Sequence, residues 1–181
     1  MLPPKRRATH VVGRYRIFDV LRHDLDGAPG GLADAYALEV RDWVAVVPVT
    51  PQGELVLVRQ YRHGIDGFTV EVPGGMLDEG ESPAEAAARE LREETGFVSP
   101  RPLELLGSAH PNPPLQGNRY SMFLALDVER LGAPAFDVGE ECEVLLRPLD
   151  EVRRTLGEGE MTHALVNYAI VRAFDALAAR R

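Results

Sequence analysis

The chain has one cysteine, Cys142, so no internal disulfide is open to it, and a reducing, cytoplasmic setting is expected. No apolar run approaches the roughly 20 residues that span a bilayer. Positive charge is also short: 20 Lys and Arg stand against 28 Asp and Glu, a formal net charge of −8. That balance argues against a broad electrostatic hold on nucleic acid or an anionic membrane, both of which need clustered cations. Internal repeats and low-complexity tracts are missing, and no histidine spacing indicates a zinc site. Lys5, Arg6, Arg7, Arg14 and Arg16 make the N-terminus basic, but no apolar stretch follows to form a secretory signal. This segment reads as a frayed basic arm.

What is present suits one compact domain with a sizeable core: 181 residues, 45% hydrophobic and 27% charged. Strands are expected at 15–25, 35–41, 43–49, 54–61, 69–72, 120–128 and 142–147, separated by Gly- and Pro-rich turns. Leu55, Val56, Leu57 and Val58 suit a strand buried on both faces. At Ser82 the period changes. Ser82, Pro83 and Glu85 supply an N-cap, a proline at the first helical position and the reciprocal partner of a capping box, so a helix should run from Pro83 to Thr95 and end at Gly96. A C-terminal helix capped by Thr162 should close the chain. Strands interleaved with a few helices indicate an α/β or α+β sandwich.

On the 83–95 helix, Glu90, Glu93 and Glu94 stand at i, i+3 and i+4, which puts three carboxylates on one face. They repel one another unless the face holds a hard divalent cation, and Mg²⁺ takes such oxygen ligands while keeping exchangeable positions for phosphate oxygens. Ala86 and Ala87 are expected on this face, with Ala84, Ala88 and Leu91 docking the helix on the sheet. Arg89 lies one turn from Glu93 and can orient it. A charged helical face alone is usually only solvated. Here seven fixed residues, Gly75, Glu81, Arg89, Glu90, Glu93, Glu94 and Gly96, and apolar Leu91 and Phe97 recur at a set spacing, with a chance per start position on the order of 10⁻⁹. Between Glu71 and Gly96 eight acidic residues face two basic ones, so −6 of the net −8 lies around this segment.

These residues resemble the Nudix box: glycine, five residues, glutamate, seven residues, then Arg-Glu-apolar-x-Glu-Glu-x-Gly-apolar, matched at every position. The resemblance implies a Nudix hydrolase with an α/β/α sandwich around a mixed sheet, cleaving a nucleoside diphosphate linked to another group with Mg²⁺ or Mn²⁺. Carried over by position, Glu90 and Glu94 are the principal metal ligands, Glu93 and Glu81 stand near the metal cluster, and the Gly74 carbonyl is a further ligand. Gln60-Tyr61-Arg62, Glu71-Val72-Pro73-Gly74-Gly75 and Pro111, 15 residues beyond Gly96, are similar to the ADP-ribose and nucleoside-diphosphate-sugar pyrophosphatases. In that branch the general base often lies on a late loop, which points to Glu140, with Glu141 beside it. The likeness also implies an antiparallel β extension at residues 1–42 that binds the base and sugar and pairs two copies in a homodimer, ahead of a hydrolase domain at 43–181. Arg62 is a candidate phosphate contact because its guanidinium is a bidentate fork, Trp43 a candidate for base stacking, and Arg41 and Arg119 further substrate contacts. Two other readings stay open: a nucleoside-triphosphate or RNA-end pyrophosphohydrolase, and a non-catalytic ligand sensor on the same fold.

Overall fold

The structure is a computed structural model, and it describes residues 3–135 and 141–180. By internal packing the chain forms two units, one comprising residues 1–42 and 109–120, the other residues 43–108 and 121–181. The first unit is built on a three-stranded antiparallel sheet in the order β1 (Lys5–Arg14), β2 (Asp19–Asp26), β3 (Asp34–Glu39). The basic arm expected to fray is therefore a ten-residue strand. It was hidden because most of its residues stay exposed, leaving no period-2 apolar pattern to read. Its register sets Lys5 across from Asp26 and Arg14 across from Asp19, Arg7 pairs with Asp26, and the His10 ring is hydrogen-bonded to Asp24 at 2.9 Å. The expected strand at 15–25 begins later, because Tyr15 donates its N–H to the Phe18 carbonyl and closes a turn before Asp19.

The second unit carries β4 (Trp43–Val49), β5 (Glu54–Arg62), β6 (Gly67–Glu71), α1 (Pro83–Thr95), β7 (Phe97–Val98), β8 (Glu104–Ala109), β9 (Tyr120–Leu126), β10 (Glu129–Arg130), β11 (Cys142–Pro148), α2 (Leu149–Thr155) and α3 (Ala164–Ala178). A six-stranded sheet runs β11-β5-β4-β9-β8, with β6 also on β5. Since β11 pairs with β5 over Glu54 to Gln60, β4 and β6 share its other edge, β4 at Leu55 and β6 from Val58 to Arg62. Leu55 to Val58 are fully buried, as a strand covered on both faces requires.

Alternation along β4 assigns the two faces. Val44 and Val46 join Val56, Phe123 and Ala125 in a core closed by Ala86, Ala87 and Leu91 of α1. Ala45 and Val47 point the other way, and α3, which also packs on β4, buries Val166, Ala169, Ile170, Ala173 and Phe174. The result is a helix layer on each side of a sheet. The α1 face differs from expectation: Ala84 and Ala88 are exposed, and Ala86 and Ala87 dock the helix with Leu91. The apolar side is thus narrow and small, so α1 lies close to the sheet and Glu94, one turn beyond Leu91, is drawn into the buried margin. α3 is capped by the His163 ring nitrogen, which accepts from the Val166 N–H, and not by Thr162. Among the described residues no helix is long and apolar enough to cross a membrane.

Candidate active site

The site is made by α1 and the loop that precedes it. Both ends of α1 are fixed by the residues the sequence nominated. Ser82 and Glu85 exchange hydrogen bonds in a capping box, and Gly96 closes the helix at φ 73°, its N–H on the Arg92 carbonyl. Burial draws the Glu85 carboxyl little, and the Ser82 hydroxyl and N–H hold it below the ordinary range. The loop runs hard against β4: Val46 donates to the Pro73 carbonyl and Val44 to the Gly75 carbonyl, each at 2.9 Å, and Trp43 bridges Met76. Glycine is required at position 74, and at position 75 any side chain would displace the Glu90 carboxylate. A Cβ on Gly74 would stand 2.2 Å from the Val44 carbonyl oxygen, and one on Gly75 would stand 2.3 Å from Glu90 Oε1.

This close approach brings the carboxylates of α1 to the loop. The Gly74 N–H donates to Glu94 Oε2 at 2.9 Å. Arg89 lies at the centre, giving Nε and Nη2 to the two oxygens of Glu81 at 2.9 and 3.0 Å and Nη1 to Glu90 and Glu93 at 2.9 and 3.1 Å. Its Nη2 also reaches the Met76 carbonyl. The hydrogen bonds from Arg89 hold the Glu81 carboxyl below the ordinary range, and the same contacts raise Arg89 itself. The sequence paired Arg89 with Glu93 alone. Its bidentate grip on Glu81, eight residues earlier, follows from the loop folding back over the helix, which helical spacing does not disclose.

The donors gathered here, Glu81, Glu90, Glu93, Glu94 and the Gly74 main chain, are all hard oxygens, the set that Mg²⁺ or Mn²⁺ takes and that zinc or soft metals disfavour. Among the described residues no three carboxylates converge as metal ligands, and Arg89 Nη1 is shared between Glu90 and Glu93. The arrangement is an anionic cradle held together by one guanidinium.

The remaining candidates fall into three places. Arg62, at the end of β5, gives Nε and Nη2 to both oxygens of Glu71 at 2.7 and 2.8 Å, so its fork is engaged within the protein. Glu71 is only 3% exposed; burial works to raise its carboxyl, but the bonds and charge of Arg62, with the Thr69 hydroxyl, outweigh it and leave it lowered. Glu141 is exposed and precedes β11, whereas Glu140 lies outside the described residues. Both flanks of that segment rest on the last turn of α1: Ala135 donates its N–H to the Glu93 carbonyl at 2.8 Å, and Cys142 Sγ sits 3.6 Å from the Glu94 carbonyl. Arg41 and Arg119 belong to the first unit, where Arg41 lines a cleft of about 320 Å³ between residues 15–19 and 39–41. The Arg119 side chain is exposed, and its N–H is bonded to Asp42 at 2.8 Å.

A sheet between helix layers, with an acidic helix clasped by a glycine loop, defines a hydrolase of phosphoanhydrides. The NUDIX domain matches residues 40–166, and the chain belongs to that family. It is 28% identical over 156 residues, 86% of this chain and 84% of the relative, to an ADP-ribose pyrophosphatase of Bacillus subtilis. A second ADP-ribose pyrophosphatase, from Mycobacterium tuberculosis, is 30% identical over 82% of this chain and 72% of its own. A crystal structure of an ADP compounds hydrolase superposes with a TM-score of 0.84 at 25% identity, covering 99% of this chain and 97% of that one. These findings bear out the fold class and the Nudix hydrolase expected from the sequence. Enzymes of this family work with divalent metal ions.

Proposed function

We propose that the protein hydrolyses the diphosphate of ADP-ribose or related nucleoside diphosphate sugars, giving a nucleoside monophosphate and a sugar phosphate. The observation that carries this reading is the cradle of Glu81, Glu90 and Glu93 around Arg89, with Glu94 held by the Gly74 N–H, together with relatives named as ADP-ribose pyrophosphatases. Magnesium is the proposed ion, with manganese as substitute, and Glu90, Glu94, Glu81 and the Gly74 carbonyl would hold it. Bound ions of this kind neutralise a diphosphate and offset charge on the leaving phosphate. The rest is done by the chain. Arg89 keeps Glu81, Glu90 and Glu93 turned toward one another before substrate arrives, which limits the reorganisation needed at the reaction.

Glu140, with Glu141 beside it, is the proposed base. It takes a proton from the water that attacks phosphorus as the anhydride P–O bond breaks. Support comes from the described flanks, since Ala135 and Cys142 both rest on the last turn of α1. Arg62 is a further proposed contact to the diphosphate, its orientation fixed by Glu71. Residues 1–42, with Arg41 and its cleft, take the base and sugar, and Trp43 and Arg119 are further contacts. Val11 and Val12 are 43% and 51% exposed on β1, apolar surface suited to pairing two copies in a homodimer. A small-molecule substrate in the cytoplasm, with no nucleic acid or membrane partner, completes the reading.

The test is turnover with Mg²⁺ on ADP-ribose, ADP-glucose, GDP-mannose, UDP-glucose, dGTP and 5′-triphosphate RNA, measured as phosphate released by added phosphatase. Cleavage of the sugar nucleotides is expected. Turnover of the triphosphates alone would replace this reading by the pyrophosphohydrolase alternative, and binding without turnover of any compound would favour the sensor.

A further inference from the structure

The Pro-rich segment after β8 has a role that its sequence does not disclose. Leu115 and Gln116 both donate their N–H to the Asn112 carbonyl, closing a tight turn behind Pro113 and Pro114. From there the chain runs beside β3 and its continuation. The Leu115 carbonyl accepts from the Leu38 N–H at 2.8 Å, and Gln116 bridges Leu38 in parallel. Asn118 gives its side-chain amide to the Arg41 carbonyl at 3.0 Å, and Arg119 gives its N–H to Asp42 at 2.8 Å. Residues 115–119 therefore hold residues 38–42 at both ends. The stretch held between, Glu39, Val40 and Arg41, is one wall of the cleft whose opposite wall is Tyr15 to Asp19.

Asn118 is the keystone of this strut. It is 7% exposed, its own carbonyl accepts from the His110 ring at 3.1 Å, and its amide is the side-chain group that meets the wall. Its Oδ1 has no hydrogen-bond partner in the structure. A buried amide that spends its donor on a main-chain carbonyl and leaves its acceptor unpaired costs stability. An apolar residue of similar size would avoid the unpaired acceptor but lose the hold on Arg41.

We infer that Asn118 is a specificity-determining positioning residue: by fixing the Arg41 carbonyl it sets the wall of the first-unit cleft, and so the enzyme's preference among nucleobases. It touches no substrate and acts through Arg41. The inference rests on the proposed function in one respect, that this cleft takes the base.

Loss of the hydrogen bond from Asn118 should relax the wall without disturbing the acidic cradle. In Asn118→Ala and in the equal-sized Asn118→Asp, the ratio of kcat/KM for ADP-ribose to that for GDP-mannose and UDP-glucose should fall by about tenfold, the order that one displaced polar contact carries. The loss should appear in KM, with kcat nearly kept. Calorimetric titration with AMP, GMP and UMP supplies a second readout that needs no catalysis. Equal falls on all substrates, with unchanged base selectivity in binding, would reduce Asn118 to a structural residue and overturn the inference while leaving the function intact. If the parent protein binds AMP selectively but cleaves no nucleotide sugar, the function fails, and the effect of Asn118→Ala on binding selectivity decides the inference. A parent that binds no nucleoside monophosphate overturns it outright.

Discussion

The two units of this chain are held together by different forces. The unit of residues 1–42 and 109–120 carries eight basic and six acidic residues, a net +2, and across its strands lie surface ion pairs such as Arg7–Asp26 and Arg14–Asp19. The other unit carries twelve basic and twenty-two acidic residues, a net −10, over a core of fully buried Val, Leu, Ala and Phe. Core burial is worth roughly 1.5–3 kcal/mol for each large apolar side chain, whereas exposed ion pairs contribute little and are screened by salt. An excess of ten negative charges is tolerable only where strong packing opposes the repulsion. The acidic unit has that packing. The basic unit has little of it, and instead leaves cations and aromatic rings such as Tyr15 and Tyr36 exposed.

The largest expected effect lies in the acidic unit. Glu94→Gln keeps the size and the acceptor for the Gly74 N–H but removes the charge, and turnover on every substrate should fall by about 10³-fold or more, with the melting temperature nearly unchanged. Undiminished turnover would remove Glu94 from the metal site. Gly75→Ala should follow, since its Cβ would enter the space of Glu90 Oε1. Because a misplacement of about 1 Å can cost on the order of 10²-fold, a fall of that size in kcat is expected, and kinetics equal to the parent's would show that Glu90 can move without consequence.

Arg89→Ala sharpens the comparison differently, by leaving the acidic cradle without its central cation. Its side chain is 22% exposed, so the cost is set below the several kcal/mol of a fully buried pair, at about 2–3 kcal/mol of stability. Added Mg²⁺ should restore part of that loss in a thermal melt, since bound cations replace the missing charge. A melt indifferent to Mg²⁺ would mean that the cradle does not gather cations. Acid should act on the same unit through Glu71. Its carboxyl is lowered by Arg62 despite burial, so the stability it adds is complete above the unfolded value of about 4.5 and is lost as pH falls through the lower folded value. Glu71→Gln should flatten that acid limb, and an unchanged limb would assign the acid sensitivity to other carboxylates.

Legibility divides along the same line. In the acidic unit α1 was readable to the residue, because caps and spacing are local properties: Ser82, Glu85 and Gly96 specify both ends without tertiary help. Leu55 to Val58 announced a strand buried on both faces for the same reason. The grip of Arg89 on Glu81 and the bond from Gly74 to Glu94 were not readable, since they depend on where a loop returns. In the basic unit β1 was read as an arm, because a strand held by cross-strand charges has no apolar period. The attachment of residues 115–119 to residues 38–42 spans some 77 positions and leaves no mark on either segment alone. The base assigned to Glu140 lies outside the described residues and remains a reading from the family pattern.

The smallest effects are expected in β1, and they bear most directly on the contrast between the units. Arg7→Ala and His10→Ala each remove an exposed pair, so neither should shift the melting temperature measurably in physiological salt. Amide hydrogen exchange is the finer probe. The amides of β1 should exchange faster than those of β4 and β5, because β1 is exposed over nearly its whole length and little apolar surface would be uncovered by its opening. Their protection should also rise with protein concentration, since Val11 and Val12 offer apolar surface through which a second copy would cover the strand. Exchange in β1 that is slow and independent of concentration would break the comparison: the basic unit would then owe its stability to its own chain, and the pairing of two copies through this sheet would lose its support.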